Sequence, residues 1–394
     1  MNTDPSSKVP QTQQGLNRRR FMQAIGGIAG GVAILAGTTH SAKAGNSWDE
    51  ALERLPNDRL LDMYTKMLKS RWWEEGIKDA FLAGTDQLYG ACHLYVGEEA
   101  VAGGVIGALN DDDLIVSNHR GHGHLINKGG DLNKMSAEIF FKQGGYNKGY
   151  GGSMHITDIS KGILGMNGIV GPSHLLAAGA AYGIKVRGTQ QVAVGFGGDG
   201  SVNNGWFYSA LRNAALYKLP FISVIENNGY QVDIPATETI SVRDLSSIGK
   251  GLNIPSHTVD GQDIFAVYSV AEEAVQRARR GEGPTLIEAK TYRFYDHGGM
   301  AHAKSGVLGA FGLPYRSDRE LMAWIANDPL PKFKALLISL GVIDEKKAQA
   351  LQVEIKQQVH ASIEFARKSP VPTPEQGLSN VYAQGAVHAS QMLA

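Results

Sequence analysis

Apolar residues recur near the helical period across residues 48–83, where Leu52, Leu55, Leu60, Met63, Met67 and Leu68 predict a long helix. After a loop rich in glycine and polar residues, 98–109 predicts a second helix. Asp111, Asp112 and Asp113 read as a solvated, charged turn ahead of the short apolar run Leu114-Ile115-Val116. The stretch 117–155 is rich in glycine and histidine; one helix is expected near 132–142, and 145–152 is almost free of side chains large enough to pack. From Gly171 the pattern alternates. A small-residue helix at 177–186 precedes a short apolar strand at 191–196. A helix at 203–217, a buried strand at 221–225, a helix at 264–280 and a strand at 284–289 follow. Apolar strands separated by helices of this length predict an α/β fold, a parallel sheet with helices on both faces. Residues 318–368 read as helical, and Pro370 and Pro372 open an extended tail.

Composition narrows this reading. The chain has 394 residues with 38 basic against 38 acidic side chains, so its charge argues for no nucleic-acid partner. Cys92 is the sole cysteine, which excludes a disulfide within the chain. Near the start, the paired Arg18-Arg19 precedes Arg20, Phe21 and Met22, then a weakly apolar run rich in glycine and alanine, then Ala42-Lys43-Ala44. This layout reads as a twin-arginine export signal cut after Ala44, which carries folded cargo to the periplasm; a cytoplasmic chain with a basic tail is the alternative. The expected division is therefore a signal at 1–44, one α/β domain at 45–368 and a tail at 369–394. What remains after the signal can bury one large core or two moderate ones.

The strand at 191–196 runs into Gly197-Gly198-Asp199-Gly200 and then a helix. In open α/β sheets ligands sit at the carboxyl ends of strands, and glycines there let backbone amides approach phosphate oxygens. Asp199 then offers a hard oxygen to Mg²⁺. The next strand ends in Glu226-Asn227-Asn228-Gly229-Tyr230, so Asn228 offers an amide oxygen 29 positions downstream of Asp199, and the Tyr230 carbonyl a third. Mg²⁺ takes few protein oxygens and completes its octahedron with phosphate and water. Gly-Asp-Gly alone would be no more than a tight turn. Two strand ends with an oxygen ligand at each are a stronger signal.

Gly198-Asp199-Gly200 and Asn227-Asn228 match the thiamine diphosphate signature at its usual spacing. Four further segments stand in family order: Cys92-His93-Leu94-Tyr95-Val96-Gly97-Glu98-Glu99-Ala100, His119-Arg120-Gly121-His122-Gly123-His124, Gly151-Gly152-Ser153-Met154-His155 and Asn167-Gly168-Ile169-Val170-Gly171. Thr291-Tyr292-Arg293 and Ser369-Pro370-Val371-Pro372 complete the set. From about residue 50 to 384 the chain resembles the alpha subunit of the thiamine-dependent first component of 2-oxo acid dehydrogenase complexes. The 119–124 segment and Lys161-Gly162-Ile163-Leu164-Gly165 look closer to the acetoin dehydrogenase branch than to pyruvate dehydrogenase.

The resemblance implies a thiamine diphosphate-binding fold and a set of roles. Arg120 and Arg293 fall where relatives hold the diphosphate, joined by Gly198, Gly200 and Ser201, and His119 and His297 count among the cofactor-binding residues. Backbone at Gly168 and Val170 contacts the aminopyrimidine ring, with backbone angles a sufficient reason for Gly168. Asp199, Asn228 and Tyr230 hold Mg²⁺. His93, His122 and His297 are the catalytic candidates near the thiazolium ring, His297 also lying on a loop that covers the cofactor. The run His119, His122 and His124 raises zinc as a lesser reading, since the other ligands of a usual site are lacking. Cys92 reads as a small buried residue. The implied reaction is oxidative decarboxylation of a 2-oxo acid or oxidative cleavage of an acyloin such as acetoin. The implied partners are a beta subunit that supplies the catalytic glutamate in an alpha-two beta-two heterotetramer, and a lipoyl acyltransferase or another electron acceptor. A cofactor-binding or structural subunit without catalysis is the alternative. The chain departs from the family pattern at Ser209 and Arg212, and in its covering loop 296–315, which lacks Ser-x-Ser-Asp.

Overall fold

The computed structural model describes residues 54–379 apart from Thr85, Gln87 and Tyr89. The expected export signal, the start of the first expected helix and the last residues of the tail lie outside the described residues. Among the described residues eight strands occur in chain order: β1 (Leu114–Asn118), β2 (Ile163–Asn167), β3 (Ala193–Gly198), β4 (Phe221–Asn227), β5 (Tyr230–Gln231), β6 (Ile234–Pro235), β7 (Ser256–Asp260) and β8 (Thr285–Lys290). Six of them form one sheet in the order β2-β1-β3-β4-β8-β7, every pair parallel, while β5 and β6 make a small antiparallel hairpin.

The sheet is covered on both faces. Along β3 and β4 the side chains alternate: Val194, Phe196, Ile222 and Val224 enter one core, Ala193, Phe221 and Ile225 the other. The first core is closed by α1 (Asn57–Ala83) and α2 (Glu99–Gly107), through residues such as Leu60, Met67 and Val101. Near them lie α3 (His122–Asn127) and α4 (Leu132–Ile139). The second core is closed by α5 (Pro172–Arg187) and α6 (Gly205–Tyr217), through Ala177, Ala181, Phe207 and Leu211. Helix α7 (Ile264–Arg279) returns to the first core. Residues 318–368, expected as one helical stretch, are three helices: α8 (Asp318–Ala326), α9 (Pro329–Ser339) and α10 (Glu345–Lys368). Pro329 starts a helix well because it lacks an N–H, and the left-handed Gly341 ends the next turn.

The differences from expectation have local causes. β2 and β7 are the two edges of the sheet, so neither needs the continuous apolar run of a strand buried on both sides. α3 is buried all round, which erases helical periodicity. The helix expected at 203–217 starts at Gly205 because Asp199–Asn203 is a 3₁₀ turn and the Asn204 side chain caps Trp206. Within the tail expected to be extended, Pro374–Ser379 is helical. Asp113 is not solvated. It is buried, accepts the Val192 N–H at 2.8 Å and pairs with Arg279 at 2.5 Å, tying β1, β3 and α7 together.

The topology gathers the motifs. Gly198 is in register with Glu226, so Asp199 and Asn228 emerge side by side from β3 and β4. The chain leaves β1 into His119-Arg120, β2 into Gly168 and β8 toward Arg293, all at the same end of the sheet. The glycine-rich loop beside this end is organised by one buried carboxylate. Glu138 accepts backbone N–H groups from Asn147 at 2.7 Å, Gly149 at 3.0 Å, Gly151 at 2.7 Å and Gly152 at 3.1 Å. Small side chains leave that backbone open, and hydrogen bonds replace packing. Glu138→Ala therefore strands four N–H groups and should cost about 3 kcal/mol or more in urea unfolding, since each buried unsatisfied donor costs about 1–3 kcal/mol. An unchanged unfolding midpoint would show that water replaces the carboxylate freely.

Candidate functional site

Asp199 stands at the end of β3 with 2% of its surface exposed, and its Oδ2 has no hydrogen-bond partner among the described residues. Burial raises its carboxyl to about 6, against backbone hydrogen bonds and the charge of Arg293. Across from it, Asn228 is buried; its Oδ1 accepts the Tyr230 N–H at 3.3 Å and its Nδ2 donates to Glu98 at 3.2 Å. The Tyr230 hydroxyl donates to Glu320 at 2.9 Å, so that side chain is engaged with α8 and its backbone remains beside Asn228.

Two buried arginines face this edge. Arg120 donates to Leu94 O and His297 O, each at 2.9 Å, and its Nε lies 3.7 Å from Glu98 Oε2. Arg293 donates through Nη2 to Val232 O, while its Nε and Nη1 are buried with no hydrogen-bond partner among the described residues. Burial, with Arg120 nearby, lowers Arg293 to about 10. Glu98 is raised to about 8 by burial and the neighbouring Glu226. Unanswered buried polar groups are costly and rare in a folded chain. Here an unpaired carboxylate oxygen and an unpaired guanidinium edge occur at one strand-end site. That donor set fits a ligand presenting both a hard cation and an anion, as a Mg²⁺-bound diphosphate does.

The histidines divide into two groups. His93, His119 and His297 pack edge to face, with ring centroids 4.5 to 5.4 Å apart and ring nitrogens within 4.8 Å of one another. Burial first, and then Arg120, pushes each of the three down to about 2, so all are neutral. His93 Nδ1 and His119 Nδ1 are buried without partners. Arg120 Nη2 lies 3.3 Å from His297 Nδ1, which sets positive charge against this trio and disfavours a bare cation such as zinc. His122 makes no ring contact with the trio, although its charge would bear on His93. Its Nδ1 meets Glu74 of α1 at 3.0 Å and its Nε2 meets Ser153 O of the glycine-rich loop at 3.1 Å, so both ring nitrogens are engaged. The catalytic role expected for His122 therefore has no free nitrogen behind it. His124 is likewise absorbed, between Ser117 at 2.8 Å and Glu226 at 3.0 Å.

The remaining expected residues lie as follows. Gly198 is extended, and Gly200 and Ser201 fall in the 3₁₀ turn rather than at an α-helix start. Ser201 Oγ donates to Gly198 O at 2.6 Å and meets His174 Nε2 at 3.3 Å; His174 Nδ1 meets Ser223 at 3.0 Å. Gly168 has no left-handed angle to explain it. A Cβ there would come within 3.2 Å of the His155 ring, so close approach is its reason. Val170 is partly exposed and its carbonyl accepts from Asn204 at 2.8 Å. Ser209 and Arg212 sit on the exposed face of α6, outside the cradle. The covering loop is tethered by Arg316, which donates to the carbonyls of Arg293 at 2.7 Å and of Phe294 and Tyr295 at 3.1 Å. Burial pushes the Cys92 thiol up to about 12, so it is inert. Sequence reasoning gave no role to Glu98, Glu226 or His174. Their place depends on contacts far apart in the chain, and only the position of Glu98 inside a motif segment marked it.

Comparison with known proteins identifies the family. The Dehydrogenase E1 component family matches residues 76–375. The alpha subunit of acetoin:2,6-dichlorophenolindophenol oxidoreductase from Bacillus subtilis is 42% identical over 329 residues, covering 83% of this chain and 95% of that one. The corresponding subunit from Cupriavidus necator is 41% identical, covering 85% and 98%. The pyruvate dehydrogenase E1 component subunit alpha of Porphyra purpurea is 36% identical, covering 81% and 91%. The chain belongs to the dehydrogenase E1 component family. Among the described residues no helix is long and apolar enough to cross a membrane.

The brace behind the Asp199 turn carries a pH signature. Burial lowers His174 from 6.5 to about 3, so the folded chain refuses a proton that the unfolded chain accepts. Stability contributed by the neutral ring is present above pH 6.5 and is lost as pH falls toward 3. Urea midpoints measured between pH 7 and pH 4 should fall less steeply for His174→Gln than for the unsubstituted chain. Parallel slopes would remove His174 from the acid response.

Proposed function

We propose that this chain is the alpha subunit of a thiamine diphosphate-dependent dehydrogenase that oxidatively cleaves an acyloin such as acetoin, or decarboxylates a 2-oxo acid. The observation that carries the reading is the pairing of Asp199 Oδ2 with the Arg293 Nε and Nη1 edge, buried polar groups left unanswered at one strand-end site. Asp199, the Asn228 amide oxygen and the Tyr230 carbonyl are assigned to Mg²⁺. Arg120, Arg293 and His119, with backbone at Gly198, Gly200 and Ser201, are assigned to the diphosphate. Backbone at Gly168 and Val170 is assigned to the aminopyrimidine. When bound, thiamine diphosphate supplies an electron sink for breaking a bond next to a carbonyl carbon. His93 and His297 enter as neutral imidazoles, able to pass a proton or hold an oxygen beside the reacting carbon. The acetoin branch is favoured because the two acetoin relatives are 42% and 41% identical, the algal pyruvate relative 36%.

A beta subunit completes the site in an alpha-two beta-two assembly and brings the glutamate that activates the cofactor. The second-core helices support such a partner. Leu176, Tyr182, Val186, Trp206, Leu216 and Tyr217 leave apolar surface exposed on α5 and α6, Val186 by 70% and Leu216 by 61%. Between them Gly179 has open space where a side chain would stand, which lets another helix approach closely. The acceptor is a lipoyl acyltransferase or another electron carrier. The paired Arg18-Arg19 supports export of the folded chain to the periplasm; fractionation of cells carrying Arg18→Lys with Arg19→Lys should move the protein back to the cytoplasm, and an unaltered distribution would argue against this signal.

Calorimetry on the full chain should show thiamine diphosphate binding that requires Mg²⁺ and weakens by about 100-fold or more in Asp199→Ala, more than loss of a residue merely supporting a metal ligand. Unchanged binding in that variant overturns the site. Assayed with acetoin and 2-oxo acids and an artificial electron acceptor, the chain alone should turn nothing over, and activity should appear when its beta subunit is added. Robust turnover by the single chain would overturn the requirement for a partner.

A further inference from the structure

Asn228 has a weakness as a metal ligand. Its amide presents oxygen at one end and nitrogen at the other, and a half turn about the side-chain bond exchanges a ligand for a repulsive donor. Its Nδ2 donates to Glu98 Oε1 at 3.2 Å. Glu98 is fully buried, so water does not compete for that oxygen. With the amide reversed, oxygen would face oxygen. The other carboxylate oxygen lies 3.7 Å from Arg120 Nε, and Arg120 is itself fixed by Leu94 O at 2.9 Å.

The backbone under Glu98 is equally constrained. Gly97 sits at φ 103°, and a Cβ there would fall 2.3 Å from Tyr292 O, so the segment presses directly on the strand-end region that carries Arg293. Gln262 Nε2 donates to Gly97 O at 2.8 Å, and Phe294 N–H donates to Val96 O at 2.9 Å. A buried acceptor on a fixed backbone is how a protein orients a ligand it does not itself replace.

We infer that Glu98 is a positioning residue for the metal end of the site, the fixed acceptor that, together with the Tyr230 N–H donating to Asn228 Oδ1 at 3.3 Å, keeps the amide oxygen turned away from Glu98 and toward the Asp199 side. This rests on the reading of Asp199 and Asn228 as Mg²⁺ ligands. The role is one of reach and acceptor, not of charge. Glutamine keeps both the length and an acceptor oxygen. Aspartate keeps the charge and loses the reach.

The test is Mg²⁺ titrated by calorimetry into the full chain at fixed thiamine diphosphate, with thermal unfolding measured alongside. Glu98→Gln should bind Mg²⁺ within about threefold of the unsubstituted chain, and Glu98→Asp should lose about 10- to 100-fold, the usual cost of removing a group that orients a ligand. If the shorter side chain prevents folding, Glu98→Met fills the space without an acceptor and should show the same loss. Glu98→Asp at full Mg²⁺ affinity overturns the inference. So does Glu98→Gln losing as much as Glu98→Asp, which would mark charge as the operative property. Asp199→Ala separates the two levels. If it keeps Mg²⁺-dependent binding, the site reading fails; if it loses binding while Glu98→Asp keeps it, only the role of Glu98 fails.

Discussion

Parallel pairing of β3 with β4 in one register is the constraint on which the rest depends. Gly198 opposite Glu226 means that the residues following each strand must share one small volume. Helices cover the two faces of the sheet, and at this strand end Asp199, Asn228 and Arg293 are themselves buried, so they are desolvated. Asp199 pays in raised proton affinity and Arg293 in lowered, each for the same reason, burial. Backbone hydrogen bonds and Arg293 relieve part of the first shift, and Tyr315 and Glu98 part of the second, but burial outweighs them in both. The fold thus holds a desolvated carboxylate and a desolvated guanidinium at one strand end, between two apolar cores on either side of the sheet.

Elsewhere the same fold treats buried acids very differently. Glu138 is saturated by four backbone N–H groups. Glu226 receives Tyr95 and His124, and Glu288 receives Asn227, Thr258 and the Ser246 N–H. Arg71 spans Glu99 and Asp328 and so joins α1, α2 and the start of α9. Each of these removes a degree of freedom from a loop or helix end at the site's border. Against that background the open oxygen of Asp199 is informative. Among the described residues Glu74 Oε2, Glu98 Oε2 and Asp199 Oδ2 are the buried carboxylate oxygens without a hydrogen bond, and two of the three, Glu98 and Asp199, stand where β3 and β4 end.

How much of this was legible in the sequence follows from which contacts are local. β3, β4 and β8 were readable because strands buried on both faces must be apolar throughout, and their terminal Gly-Asp-Gly and Asn-Asn segments were readable because strand ends have a fixed position. Edge strands β2 and β7 were not, since half of each needs no apolar residue. The hydrogen bond of His122 to Glu74 was not legible, because spacing within 119–124 cannot say which imidazoles face the strand ends and which turn back toward α1. Glu98 lies 130 positions from the Asn228 it holds, and no local pattern records such a pairing.

The histidine trio shows how the arginines and the site chemistry are linked. Burial comes first among the causes that keep His93, His119 and His297 neutral, Arg120 second, and Arg293 and neighbouring imidazoles add to them. An anion lying against the arginines would offset their share and leave burial in place, so the imidazoles would be better bases with the anion present than without it. The trio is therefore best understood together with Arg120 and Arg293 and not as three separate titrating groups: the positive charge that would face an anion at this edge is also part of what holds the histidines neutral.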